Sequence, residues 1–302
     1  MNNDLQFTKC PICSSEGNIK ILYKNLIGNK SILECPKCSI QYLYPYPTES
    51  ELNEIYSEGY VAWGIGNEDT FSQMKKAKFR KLLKYTAKYC NKGNLLDFGC
   101  GPGYLMEEAK KIGFNVYGAE FGEYAANIAK NKFGEDRIFA GNIENCKFQD
   151  NFFDIVIMSD LLEHIVNPVS SLKKVNTILK NTVNSNGGGG GYFMITTPNT
   201  NSFTCKIMGS KWAHYNLEHI HCFNINSIKK IAEITGFEIL EIKPYFKILT
   251  IKYMNYIFKY NKRKILSFIF SILEKIPILC NLQIPILAGE FLIILRKKGV
   301  II

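Results

Sequence analysis

Two groups of residues in this sequence combine side-chain type and spacing in ways that suit chemistry. The first runs through Asp97-Phe98-Gly99-Cys100-Gly101-Pro102-Gly103. A short apolar run at Leu95 and Leu96 reaches the acid, turns through three glycines and enters Tyr104 to Lys110, a pattern of strand, glycine turn and helix. Glycines serve where the backbone takes positive φ or lets a ligand approach closely, and the helix that follows offers unpaired N–H groups to that ligand. A nucleotide-like cofactor is the natural occupant. Glu120 closes the next apolar run, Val116 to Phe121, 23 positions after Asp97. A carboxylate at that place can accept both ribose hydroxyls of a nucleoside lying across the strand ends. The second group is Cys10-Pro11-Ile12-Cys13 and Cys35-Pro36-Lys37-Cys38, two C-P-x-C knuckles separated by 21 residues. Four thiolates so arranged suit a tetrahedral Zn²⁺, and a stretch so poor in apolar residues needs the metal to fold.

The elements that must position these groups are legible as periodicity. Glu49 to Tyr56 reads as a short helix, and Phe71, Met74, Phe79, Leu82, Leu83, Thr86 and Tyr89 make Thr70 to Cys90 an amphipathic one. Tyr56, Tyr60 and Trp63 between them could touch substrate, with packing the plainer role. Tyr42 to Pro47, with two prolines, reads as a linker. From residue 93 strands and helices alternate, which argues for a mainly parallel sheet with helices on both faces. Strands are expected near 94–98, 115–120, 137–140, 153–158, 191–197, 237–244 and 290–297, and helices near 103–112, 123–133, 168–180 and 225–235. Asn184 to Gly191, with its five glycines, reads as a mobile loop.

The glycines fall G-x-G-x-G behind an aspartate, and this resembles motif I of the class I S-adenosylmethionine-dependent methyltransferases. The likeness extends over about residues 90 to 240: the strand Phe153-Asp154-Ile155-Val156, the turn Glu163-His164, the turn Pro198-Asn199, then Trp212, Glu218-His219, Phe223 and Gly236-Phe237. It implies a Rossmann-like seven-stranded α/β sheet whose last strand runs antiparallel. It also implies cofactor contacts from Asp97, Gly99, Gly101, Gly103, Glu120, Phe121, Asn142, Ile143 and Asp160. An alcohol attacking a sulfonium methyl must lose its proton, and His164 and His219 suit a general base because an unperturbed imidazole titrates near neutrality. A zinc ribbon ahead of such a domain resembles sugar methyltransferases acting on nucleotide-linked deoxysugars. There a Glu-His pair is implicated in proton abstraction, which maps onto Glu218 and His219. The long C-terminal domain of those enzymes is missing here.

The chain thus divides into a zinc ribbon at 1–45, a linker and amphipathic helix at 46–92, and a methyltransferase domain at 93–302 with a lid-like insertion at 246–289. With 302 residues and 46% apolar content it can bury a sizeable core. No basic and apolar leader opens it, which reads as cytoplasmic. A net charge of +10 allows nucleic acid, nucleotide-linked substrates or an anionic membrane as partners, or simply a solvated lysine-rich surface. Residues 246–279 interleave lysines with aromatic and aliphatic residues and could touch a membrane or a lipid-linked substrate. O-methylation of a sugar or other small glycan-type acceptor, nucleotide- or lipid-linked, is the reading favoured here. RNA methylation is disfavoured because Ser159-Asp160-Leu161-Leu162 lacks the Asn/Asp-Pro-Pro-aromatic tetrad of base-amino methyltransferases, and a non-catalytic zinc module is disfavoured by the intact Asp97, glycines and Glu120.

Overall fold

The computed structural model describes residues 9–55, 68–181, 190–260, 264–276, 279 and 282–299. Tyr56, Tyr60, Trp63 and residues 184–189 of the glycine run lie outside them. Two sheets organise the chain. The first is antiparallel and small: β1 (Lys20–Ile27), β2 (Lys30–Glu34) and β3 (Gln41–Tyr44) follow the first knuckle, with the second knuckle between β2 and β3. Two helices come next, α1 (Glu49–Ile55) and α2 (Glu68–Thr86).

The larger sheet begins with β4 (Gly93–Phe98), α3 (Tyr104–Lys111), β5 (Phe114–Glu120), α4 (Glu123–Phe133), β6 (Ile138–Ala140), β7 (Ile155–Ser159), α5 (Pro168–Ile178) and β8 (Tyr192–Pro198). There follow α6 (Phe203–Met208), β9 (His221–Cys222), α7 (Ile225–Ile234), β10 (Phe237–Leu249), α8 (Ile251–Tyr260), α9 (Lys264–Glu274) and β11 (Ile284–Lys297). Strand order in this sheet is β10-β11-β8-β7-β4-β5-β6, and only β11 is antiparallel to its neighbours. Seven strands with a reversed last strand match the sequence expectation. Runs such as Ile155 to Met158 are buried throughout because a parallel strand is covered on both faces. The chain leaves β4 for β5 on one side and β7 on the other, so the carboxyl ends of β4 and β7 border a crevice where open α/β folds bind ligands.

Three expectations are corrected. Tyr42 to Tyr44, read as linker, belong to β3, which pairs with β2 on one side and β9 on the other. Pro45 and Pro47 follow the last ladder pair, Ser31 with Tyr44, and so cost the ladder no donor. The lid is shorter than 246–289: β10 runs on to Leu249 and β11 starts at Ile284, pairing Lys247 with Ile286 and Leu249 with Ile284, so helix is confined to α8 and α9 between them. The ribbon sheet also reaches past residue 45, because its fourth strand is β9. One core joins Cys10, Leu33 and Tyr42 of the ribbon to Phe223, Ile228 and Phe193 of the larger unit.

Candidate active site

The glycine turn sits where β4 hands the chain to α3. Gly99, Gly101 and Gly103 have φ of 89°, 52° and 88°, a region that costs an L side chain strain. Packing adds to this at two of them: a Cβ on Gly99 would lie 2.9 Å from Leu161, and one on Gly103 2.5 Å from the Phe133 ring. Glu120 ends β5 beside the turn and accepts the Gly101 and Gly122 N–H groups, each at 2.8 Å. Burial pushes its carboxyl above the ordinary range. Asp97 lies beneath, fully shielded, and burial with the nearby Glu120 raises it to about 8.

A cavity of about 400 Å³ opens at these strand ends, lined by Gly99, Gly101, Glu120, Phe121, Asn142 and Asp160 among others. Its volume falls in the range that encloses small organic ligands. Asp97 and Gly103 do not line it. Asn142 follows β6, and its Oδ1 accepts the Glu144 N–H at 3.0 Å. Ile143 opens the short 3-10 turn Ile143–Asn145.

His164, Glu218 and His219 also line this cavity. The His164 and His219 rings meet edge to face with centroids 4.8 Å apart. The His219 Nδ1–H donates to the His214 carbonyl at 2.8 Å; a carbonyl only accepts, so Nε2 carries the free lone pair. The Glu218 charge acts on His164, opposing the effect of burial there. Asn216 Oδ1 accepts the N–H groups of Glu218 and His219, each at 3.0 Å, and so fixes the backbone of this loop. Burial, then His164 and His214, hold His219 well below the usual imidazole range, and burial lowers His164 too. Both rings are therefore neutral at neutral pH.

Charged side chains share the cavity wall with the histidines: Asp160, Lys75, Lys78 and Lys247. Asp160 sits at φ 54° and pairs with Lys78 at 2.5 Å, while Thr196 Oγ1 donates to it at 2.9 Å. Burial would raise Asp160, and Lys78, Lys247 and Lys75 outweigh it, keeping the carboxylate ionised far below its ordinary range. Lys247 pairs with buried Glu290 at 2.5 Å. Glu163 accepts the Thr197 hydroxyl at 2.7 Å, and burial followed by Asp160 raises it to about 8. Glu163, His164 and His219 place ligand atoms within 4.8 Å of one another, a donor set that could also hold a divalent cation. Lys75 and Lys78 were not singled out in the sequence as site residues. Lys78 left one signal: it stands with Phe71, Met74 and Leu82 at three- and four-residue steps on the apolar stripe of α2. Lys247 is brought inward only by the β10 to β11 pairing.

The four knuckle cysteines converge as their spacing predicts. Cys10 Sγ lies 3.6 Å from Cys38 Sγ, and Cys13 Sγ 3.7 Å from Cys35 Sγ. Tetrahedral Zn–S bonds of about 2.3 Å put sulfurs about 3.8 Å apart, so the residues fit the metal. The ribbon also holds the histidine loop. β3 pairs with His221 and Cys222, two positions beyond His219, the Leu43 N–H reaches the Ile220 carbonyl at 2.9 Å, and the Tyr215 hydroxyl reaches Gln41 at 2.6 Å.

The fold and the crevice define the class: an α/β enzyme of the Rossmann-like methyltransferase type. Residues 71–242 match a family model described as a methyltransferase domain, and the chain belongs to that family of S-adenosylmethionine-dependent enzymes. A ubiquinone biosynthesis O-methyltransferase of Acinetobacter baylyi is 29% identical over 126 residues, 39% of this chain and 50% of that protein. The chain thus spans about half the length of that curated relative. In fold it is similar to an S-adenosylmethionine-dependent methyltransferase from Archaeoglobus fulgidus, with TM-score 0.50, 20% identity and coverage of 78% of this chain and 99% of that one. It is similar also to a Haemonchus contortus phosphoethanolamine N-methyltransferase solved with S-adenosylhomocysteine, with TM-score 0.50, 15% identity and coverage of 86% and 62%.

Proposed function

We propose that the chain methylates a hydroxyl oxygen of a small glycan-type acceptor, nucleotide- or lipid-linked, with His219 as general base. The observation that carries the base assignment is the His219 Nδ1–H bond to the His214 carbonyl, which leaves Nε2 as a proton acceptor in the cavity wall. Oxygen as acceptor is supported by the relative's name, which is that of an O-methyltransferase. That name carries no sugar, so the glycan part rests on the cysteine layout ahead of the domain.

In this reading the bound cofactor supplies an electrophilic sulfonium methyl. Glu120 would hold its ribose, the turn at Gly99 and Gly101 would let it approach the backbone, and Phe121, Asn142 and Asp160 line the cavity that would receive it, with Asp97 and Gly103 shaping the turn. His219 Nε2 takes the hydroxyl proton, and the neutral His164 ring packs against it. Cys10, Cys13, Cys35 and Cys38 hold Zn²⁺, and the ribbon braces the loop that carries His219. The units are a ribbon at 1–45 closed by β9, a connecting segment at 46–92 and the catalytic domain beyond. A second reading uses the same cluster: a divalent cation on Glu163, His164 and His219 would acidify the hydroxyl directly.

The test is turnover of His219→Gln with labelled S-adenosylmethionine. A general base contributes about 10²–10⁴-fold, with cofactor affinity unchanged within a few-fold. Equal loss of both would make His219 a structural pin. Activity abolished by a chelator and restored by a divalent cation other than zinc, with zinc retained in the ribbon, would favour the second reading.

A further inference from the structure

Among the described residues, α9 presents the most continuous exposed apolar face. Ile265, Phe268 and Ile272 are 78%, 68% and 51% exposed, and Ile269 lies between them on the same face. Spacing of three and four residues puts all four within about a quarter of the helix circumference. The opposite face is occupied: Phe270 packs edge to face on Phe258 at 5.0 Å, and Glu274 accepts from Asn255, both partners lying on α8. α8 in turn carries Tyr253, which lines the cavity and packs on Phe71 of α2 at 5.1 Å. One hairpin therefore walls the cavity with its inner helix and shows apolar side chains on its outer one.

Charge selects what covers that face. Residues 250–289 contain six lysines and arginines against one acid, Glu274, and that acid is turned inward to Asn255. A second copy would bring two such basic surfaces together, a repulsive contact, whereas an anionic bilayer neutralises them. No helix among the described residues is long and apolar enough to cross a membrane, but an amphipathic helix in a lysine-rich stretch of chain suits its surface.

We infer that α9 docks on an anionic phospholipid surface, seating the cavity next to the membrane so that the acceptor is drawn from its lipid-linked form. This rests on the reading of the cavity as the acceptor site. The experiment is co-sedimentation with phosphatidylcholine vesicles, with and without phosphatidylglycerol, using the full chain and a Phe268→Glu, Ile272→Glu double variant. The parent should sediment with the anionic vesicles and be released by salt. The variant should bind at least about tenfold more weakly, while melting and binding S-adenosylmethionine as the parent does. A parent that stays in solution, or a variant that binds equally well, overturns the proposal. So does a dimer, seen by light scattering, that the double variant dissociates when the parent does not bind vesicles. Absence of cofactor heat in the parent would strike at the enzymatic reading instead, and vesicle binding is read independently of it.

Discussion

Removing the carboxylate of Glu120 should damage cofactor binding and folding together, in amounts that the hydrogen bonds set. In Glu120→Ala the Gly101 and Gly122 N–H groups lose their acceptor, having been bonded at 2.8 Å each. A buried donor left unpaired costs about 1–3 kcal/mol, so the gross loss is roughly 2–6 kcal/mol. Deleting the acid also removes its own desolvation, which its raised pKa displays, so the net loss falls below that gross figure. Glu120→Gln keeps one oxygen acceptor and should lose about half of that. Cofactor affinity should fall ten- to a hundredfold in Glu120→Ala, since hydrogen bonds to a charged acceptor are worth about 1.5–3 kcal/mol. In the parent, affinity should decline as pH falls through the raised carboxyl pKa, because protonation removes the charged acceptor. Urea unfolding gives the first quantity and calorimetry with S-adenosylmethionine and S-adenosylhomocysteine the second. Stability within about 0.5 kcal/mol of the parent, below the cost of one unpaired donor, would refute the paired N–H geometry. Unchanged affinity would refute the ribose role.

Cys35→Ser should lose zinc by elemental analysis and, because β3 pairs with His221 and Cys222, should lower turnover more than cofactor affinity; full turnover without metal would separate ribbon from site. His221 is fully buried, donates Nδ1–H to the Ile165 carbonyl at 3.0 Å and meets the Tyr46 hydroxyl at 3.1 Å, and burial lowers its pKa from 6.5 to about 4. Its folded pKa is below its unfolded one, so the stability it confers is complete above about 6.5 and declines as pH falls toward 4, by about 3 kcal/mol in all. Urea unfolding across that window checks the sign, and an unchanged slope in His221→Gln would show that this ring is not the group responsible.

Much of the architecture was legible because it depends on local signals. The central parallel strands of the larger sheet announce themselves as short buried apolar runs, the turn at Gly99 to Gly103 by conformations that only glycine adopts cheaply, and the four cysteines by a spacing that suits a tetrahedral metal. Glu120 was placed by its position at a strand end. The convergence of Glu163-His164 with His219 was not legible, for it joins turns 55 residues apart across the carboxyl edge of the sheet. Nor was the tautomer of His219, which the His214 carbonyl selects. The pairs Lys78 with Asp160 and Lys247 with Glu290 form between elements that only packing brings together. Tyr42 to Tyr44 shows the same division: two prolines nearby marked the segment as linker, yet β2 and β9 are available to pair on either side, and long-range hydrogen bonding overrides the local signal. Types and spacings along the chain determined which cofactor chemistry the protein is built for; the tertiary contacts decided which charges stay ionised and which ring nitrogen of His219 keeps its lone pair, because both depend on burial and on neighbours that sequence distance hides.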